Sequence, residues 1–147
     1  MNINTLQKID EALTISGLRR NTINRVRNKS RNVRLKMLKE TRNKDKNGRY
    51  RQFVFEVNSS SMINEDYVTR VRIYETIPYK SNKAETWVDC TCNDFRYRWD
   101  YALNKKGSSG RLHAKKKAPK ITNPDELAGT CKHVYAAMQW LKNKKGL

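Results

Sequence analysis

All three cysteines of this chain fall in one pattern: Cys90-Thr91-Cys92, thirty-eight intervening residues, then Cys131-Lys132-His133. On an extended strand, residues two apart point to the same side, so Cys90 and Cys92 can aim both sulfurs at one point. A disulfide between them would be strained, and an odd cysteine count argues against a disulfide framework. Trp87-Val88 opens an extended piece leading into Cys90, while Cys131 to Lys145 has the spacing of a helix with His133 in its first turn. The core face of that helix would be Val134, Ala137, Met138 and Leu141. Lys142, Lys144 and Lys145 lie at the negative end of its dipole, and Gly146 follows as a C-terminal stop.

Three thiolates and one imidazole complete a tetrahedron around a zinc ion, with Zn–S bonds of about 2.3 Å. Four protein ligands leave no position for a reactive water. The zinc is therefore predicted to be structural, adding to folding free energy and pinning the last helix to the strand that carries Cys90 and Cys92. The residual negative charge of such a centre is one that Lys132 is placed to offset. A nucleophilic Cys131 served by His133 is disfavoured, because one residue separates them and no orienting group or oxyanion loop is evident. No Gly-rich phosphate loop or recognisably spaced pair of carboxylates occurs, and Asp94, Asp100, Asp125 and Glu126 lie around caps and turns. No catalytic residue is assigned, and the chain is not expected to be an enzyme. His113, in a basic loop, is taken as solvated, with a ligand exchange with His133 left open.

Cys-x-Cys, a variable insert and Cys-x-His at the start of a helix, preceded by an aromatic-hydrophobic strand, resembles the SWIM type of zinc finger, a strand-strand-helix zinc module. The resemblance spans about Trp87 to Leu141. Within the insert, Cys92-Asn93-Asp94-Phe95-Arg96-Tyr97 and Pro119-Lys120-Ile121-Thr122-Asn123-Pro124, closing on Gly129-Thr130-Cys131-Lys132-His133, is similar to SWIM-like proteins encoded by tailed bacteriophages. The resemblance implies that Cys90, Cys92, Cys131 and His133 bind zinc. It also implies a binding role, since SWIM modules are associated with DNA binding and with protein–protein contacts.

Charge bears on the partner. The chain of 147 residues has 32 Lys and Arg against 14 Asp and Glu, a formal net charge of +18. Residues 1–50 carry 14 basic and 4 acidic side chains, residues 51–92 carry 5 and 6, and residues 93–147 carry 13 and 4, so two basic regions flank a neutral centre. Such a surface repels itself unless an anion compensates it, and phosphate backbones are the commonest such partner. The candidate polyanion-binding residues are Arg19, Arg20, Arg25, Arg27, Lys29 and Arg31 in the first region, and Arg96, Arg98, Lys115, Lys116 and Lys117 in the second. Phe95-Arg96-Tyr97-Arg98-Trp99-Asp100-Tyr101 mixes stacking and cationic groups in the manner of single-strand binding surfaces, with core packing as the competing account of Phe95 and Trp99.

The remaining elements follow from periodicity. Leu6, Ile9 and Leu13 predict a short helix from Thr5, ended by Ser16-Gly17, with a basic arm after it. Val33-Arg34-Leu35-Lys36-Met37, then Phe53, Phe55 and Val57, then Tyr67, Thr69, Val71 and Ile73 alternate as three antiparallel strands, with Asn47-Gly48 as a tight turn and Ser59-Ser60-Ser61 as a loop. Asn93 to Leu103 is expected to be helical with Asp94 as N-cap. The predicted class is α+β: a small antiparallel sheet with a zinc-stapled strand-strand-helix module and basic extensions. It divides into residues 1–32 (helix and basic arm), 33–80 (strands) and 81–147 (zinc module, with a basic insert at about 104–120). The arm and the insert are expected to extend from the body and to become ordered only against partners.

No stretch approaches the ~20 apolar residues of a membrane span, and the N-terminal residues lack the layout of a secretory signal, so an intracellular setting is expected. The predicted function is a non-enzymatic binding module for nucleic acid or another polyanion. The alternative is a structural component of a large assembly, such as a tailed-phage virion, in which the basic segments lie along acidic protein neighbours.

Overall fold

The computed structural model describes residues 14–45, 48–59, 66–75, 86–105, 109 and 129–147. The helix expected over Thr5 to Leu13, the Ser60-Ser61 part of the loop, His113 and most of the basic insert, Lys115, Lys116 and Lys117 included, lie outside the described residues. The chain is α+β. Strands β1 (Val33–Asp45), β2 (Gly48–Ser59), β3 (Asp66–Tyr74) and β4 (Thr86–Cys90) form one antiparallel sheet in the order β1-β2-β3-β4. Helices α1 (Ile15–Asn21) and α2 (Asn24–Ser30) precede it; a π-helical stretch (Phe95–Trp99) running into α3 (Asp100–Lys105), and then α4 (Lys132–Lys145), follow it.

Period-2 alternation sorts the sheet into two faces. Leu35, Met37, Phe53, Phe55, Val57, Val71, Ile73 and Val88 join one hydrophobic core, which α4 closes with Val134, Ala137, Met138 and Leu141, each fully buried. Complete burial of a Phe or Leu side chain contributes about 1.5–3 kcal/mol, so this layer dominates the stability of the domain. Gly48 opens β2 at φ +119°, a conformation that favours glycine, and pairs with Asp45 across the hairpin. Leu38 is the extra residue of a β-bulge between Met37 and Lys39, and it is 48% exposed. Beyond it the alternation of β1 is reset, so Lys39 lies opposite Val54 and Glu40 opposite Phe53, where Glu40 meets Arg51 at 3.3 Å and Lys145 at 3.4 Å.

The segment from Ile15 to Ser30 is not an extended arm. Seven-residue helices are unstable alone, but Ile15, Leu18, Thr22 and Val26 recur at helical spacing and are buried, and α1 and α2 pack on α4. Ser16-Gly17 does not end a helix either: Thr14 caps α1, its Oγ1 accepting from the Gly17 N–H at 3.0 Å, so both residues sit in the first turn.

After β4 the chain turns into helix as expected, with Phe95, Trp99, Ala102 and Leu103 buried. Asp94 is not its N-cap. It has helical dihedrals (φ −60°, ψ −44°), and its carboxylate accepts from the Trp99 indole N–H at 3.2 Å while pairing with Arg98 at 3.4 Å. At the C-terminal end of α4, Gly146 adopts φ +71° and closes the helix as its sequence position predicts.

Candidate metal centre

Cys90, Cys92, Cys131 and His133 converge. All four are buried, and their ligand atoms lie within 4.8 Å of one another, a grouping that could hold a metal ion. Each is delivered by a different local device. Cys90 is the last residue of β4, opposite Thr69 of β3, and the Thr69 hydroxyl donates to the Cys90 sulfur at 3.3 Å. Thr91 continues the pairing, its N–H donating to the Val68 carbonyl and its Oγ1 accepting from the Val68 N–H, which holds the Cys-Thr-Cys backbone extended. Cys92 then caps the next helix: its sulfur accepts from the Phe95 N–H at 3.3 Å, a role that Asp94 does not take. Cys131 is the N-cap residue of α4, whose first turn holds no acid, so a thiolate there faces the positive end of the helix dipole.

Gly129 explains how the chain returns to the site. A Cβ at this position would lie 2.9 Å from the Trp99 ring, so only glycine lets the segment before Cys131 pass against that indole. Trp99 and Gly129 thus position two halves of the ligand set that are far apart in sequence.

The separation of one sulfur and the imidazole is close to that of a tetrahedral site. With bonds of about 2.3 Å to sulfur and about 2.0 Å to nitrogen, a tetrahedron separates sulfur from nitrogen by about 3.6 Å; Cys90 Sγ and His133 Nδ1 are 3.8 Å apart. His133 is 2% exposed, stands 5.1 Å from the Tyr67 ring, and its Nε2 has no hydrogen-bond partner among the described residues. Burial opposes ionisation of Cys90, but donors from Cys131, Cys92 and Thr69 converge on its sulfur and hold its thiol well below the usual range. Burial and the adjoining Cys90 and Cys92 push the Cys131 thiol well above it. The two thiols are thus shifted in opposite directions by their shared burial, and a cation held between them would favour the thiolate form of both.

A cleft beside the centre is lined by Arg25 and Lys29 of α2, Lys132 of α4, Arg98 and Asp94. The candidate polyanion-binding residues separate into groups. Arg20, Arg25, Lys29 and Arg31 are exposed, with no side-chain partner among the described residues. Arg96 is also exposed, stacked over the Tyr97 ring at 5.4 Å. Arg27, by contrast, closes the C-terminus of α1: its Nε donates to the Thr22 carbonyl at 2.8 Å and its Nη2 to the carbonyls of Arg19 and Arg20 at 2.9 and 2.8 Å. Arg19 donates to the Leu147 carbonyl at 3.2 Å, and partial burial lowers its pKa. Arg98 is held by Asp94 and lies over the Trp99 ring at 5.8 Å. Sequence reasoning grouped these three with the free cations because charge alone does not show which carbonyls or rings a guanidinium will meet. It passed over Thr69 and Gly129, whose only signals are a hydroxyl opposite a ligand strand and a glycine two residues before a ligand.

No helix among the described residues is long and apolar enough to cross a membrane. Comparison with protein-family models, with curated proteins and with solved structures found no match to this chain. The resemblance to SWIM modules and to phage proteins accordingly rests on the residue pattern.

Proposed function

We propose that this chain is a non-enzymatic, zinc-stapled module that binds nucleic acid through the cationic surface of α1 and α2. Zinc is the ion of choice for three thiolates and one imidazole in a buried tetrahedron. Bound there it supplies folding free energy and leaves no open coordination position for a substrate. Cys90 and Cys92 fix the end of the sheet, Cys131 and His133 fix α4, and α4 in turn carries α1 and α2. The SWIM likeness agrees with this arrangement.

The observation that carries the binding reading is that Arg20, Arg25, Lys29 and Arg31 stand exposed without an acidic partner among the described residues. Isolated surface charges contribute little to stability, so folding does not account for four of them on and directly after two adjoining short helices. Phosphates do, and binding of that kind is sequence-tolerant and weakens steeply with salt. The test is binding of mixed-sequence DNA and RNA strands by the metal-loaded protein at low salt, against a Glu-rich polypeptide of equal charge. Binding to a nucleic acid that salt abolishes supports the reading. Binding to the polypeptide alone replaces it with an assembly role among acidic protein neighbours.

A further inference from the structure

We propose that the cleft between α2, β1 and α4, on the other side of α2 from the metal centre, receives an unpaired base of a single-stranded nucleic acid; this rests on the nucleic-acid reading and adds a base-contacting site to it. The cleft has a volume of about 600 Å³, within the range of small-ligand sites. Two helices present carboxamides to it: Asn24 and Asn28 from α2, Gln139 and Asn143 from α4, each pair four residues apart and so on one helix face. Trp140 lies half-buried in the lining, its ring and that of Phe55 meeting at 76° with centroids 5.5 Å apart.

A carboxamide sets N–H donors beside an acceptor oxygen, which matches the donor–acceptor edge of a base. Those edges are open when the strand is unpaired, and an indole gives such a base a stacking surface. Gln139 is already oriented, its Nε2 in hydrogen-bond contact with the Tyr135 hydroxyl at 2.9 Å, which leaves its oxygen for a ligand donor. Charge selects the ligand class. No carboxylate lines the cleft among the described residues, and of its two arginines Arg27 is committed to the α1 carbonyls, so Arg31 is left for a phosphate. A base in the cleft and its phosphate on Arg31 use all of these groups at once. A peptide would use the carboxamides but not the surplus positive charge.

The experiment measures binding of the full, metal-loaded chain to a labelled single-stranded oligonucleotide of mixed sequence, to an abasic strand of the same length and phosphate count, and to an Asp/Glu-rich peptide of equal charge. The base-bearing strand should bind about tenfold more tightly than the abasic one, the order expected of one stacked base. Asn28→Ala with Asn143→Ala, both exposed positions, leaves the Trp140 surface in place and should lower that ratio about threefold, the order of one lost hydrogen bond, while leaving abasic affinity and melting temperature unchanged. A ratio near one in the unaltered protein, or a ratio that the double variant leaves intact, overturns the base site while the phosphate-binding reading stands. Binding to neither strand removes both. Peptide binding that the double variant abolishes assigns the cleft to a protein segment and overturns the proposal.

Discussion

Arginines on the outer face of the sheet and arginines on the α1–α2 surface differ in what surrounds them. On the sheet, Arg72 lies 4.3 Å from the Trp87 ring centroid and 4.4 Å from that of Tyr50, donates to Gln52 at 2.7 Å and pairs with Asp45 at 3.4 Å. Arg70 binds Asp89 at 2.5 Å and also covers Trp87. These guanidinium groups share a sheet face with Tyr50, Val54 and Tyr74, all three buried. On and directly after the two short helices, Arg20, Arg25, Lys29 and Arg31 meet no acid and cover no ring among the described residues. The same residue type builds structure where acids and aromatics are interleaved with it, and is left for a partner where they are not. Much of the net charge of the described chain thus stands on the helical side.

Both regions connect to the candidate metal centre through α4, which brings two of its candidate ligands and packs against all four strands and both short helices. The largest effect is accordingly expected at Cys131. Cys131→Ser should abolish stoichiometric zinc in metal analysis of the purified protein and remove the cooperative thermal transition, structural zinc binding being worth about 10–16 kcal/mol in small domains. A metal-free protein of unchanged melting temperature would show that the sheet and helices hold together without it.

Within the arginines, Arg27→Ala and Arg72→Ala should each destabilise by about 2–3 kcal/mol in urea unfolding, since each removes charge-assisted hydrogen bonds from groups that stay partly buried. Gly129→Ala should cost about 1–3 kcal/mol by forcing the Trp99 ring aside, and should lower metal affinity with it. Arg20→Ala or Arg25→Ala should fall within about 0.5 kcal/mol of the parent. Equal losses at Arg25 and Arg72 would erase the distinction between the two regions.

The sheet and its last helix were legible because their apolar residues keep strict periods: Phe53, Phe55 and Val57 by two, Val134, Ala137, Met138 and Leu141 by helical turns. The ligand set was legible because spacing and chemistry agree. The α1–α2 pair was not, although Ile15, Leu18, Thr22 and Val26 keep helical spacing, because the acid-free run of cations around them looks like a solvated tail and Thr22 hides a buried position behind a polar side chain, its hydroxyl donating to the Leu18 carbonyl at 2.9 Å. The helix after Cys92 was foreseen, but its cap was misassigned: a carboxylate is the usual choice at an N-terminus, and here a ligand sulfur does the work. The bulge was not foreseen, although Met37-Leu38 sets two apolar neighbours inside an alternating strand.

The division of the arginines is tested most directly by the salt dependence of binding to a mixed-sequence single strand, measured for the parent and for a variant with Arg20, Arg25, Lys29 and Arg31 all replaced by Ala. Each phosphate contact contributes about 0.7–0.9 to the slope of log K against log salt, so the quadruple variant should lose about three units of slope. Its melting temperature should stay within a few degrees of the parent's, whereas Arg72→Ala should keep the slope and lower the melting temperature. An unchanged slope in the quadruple variant, or a loss of slope on replacing Arg72, would contradict the account.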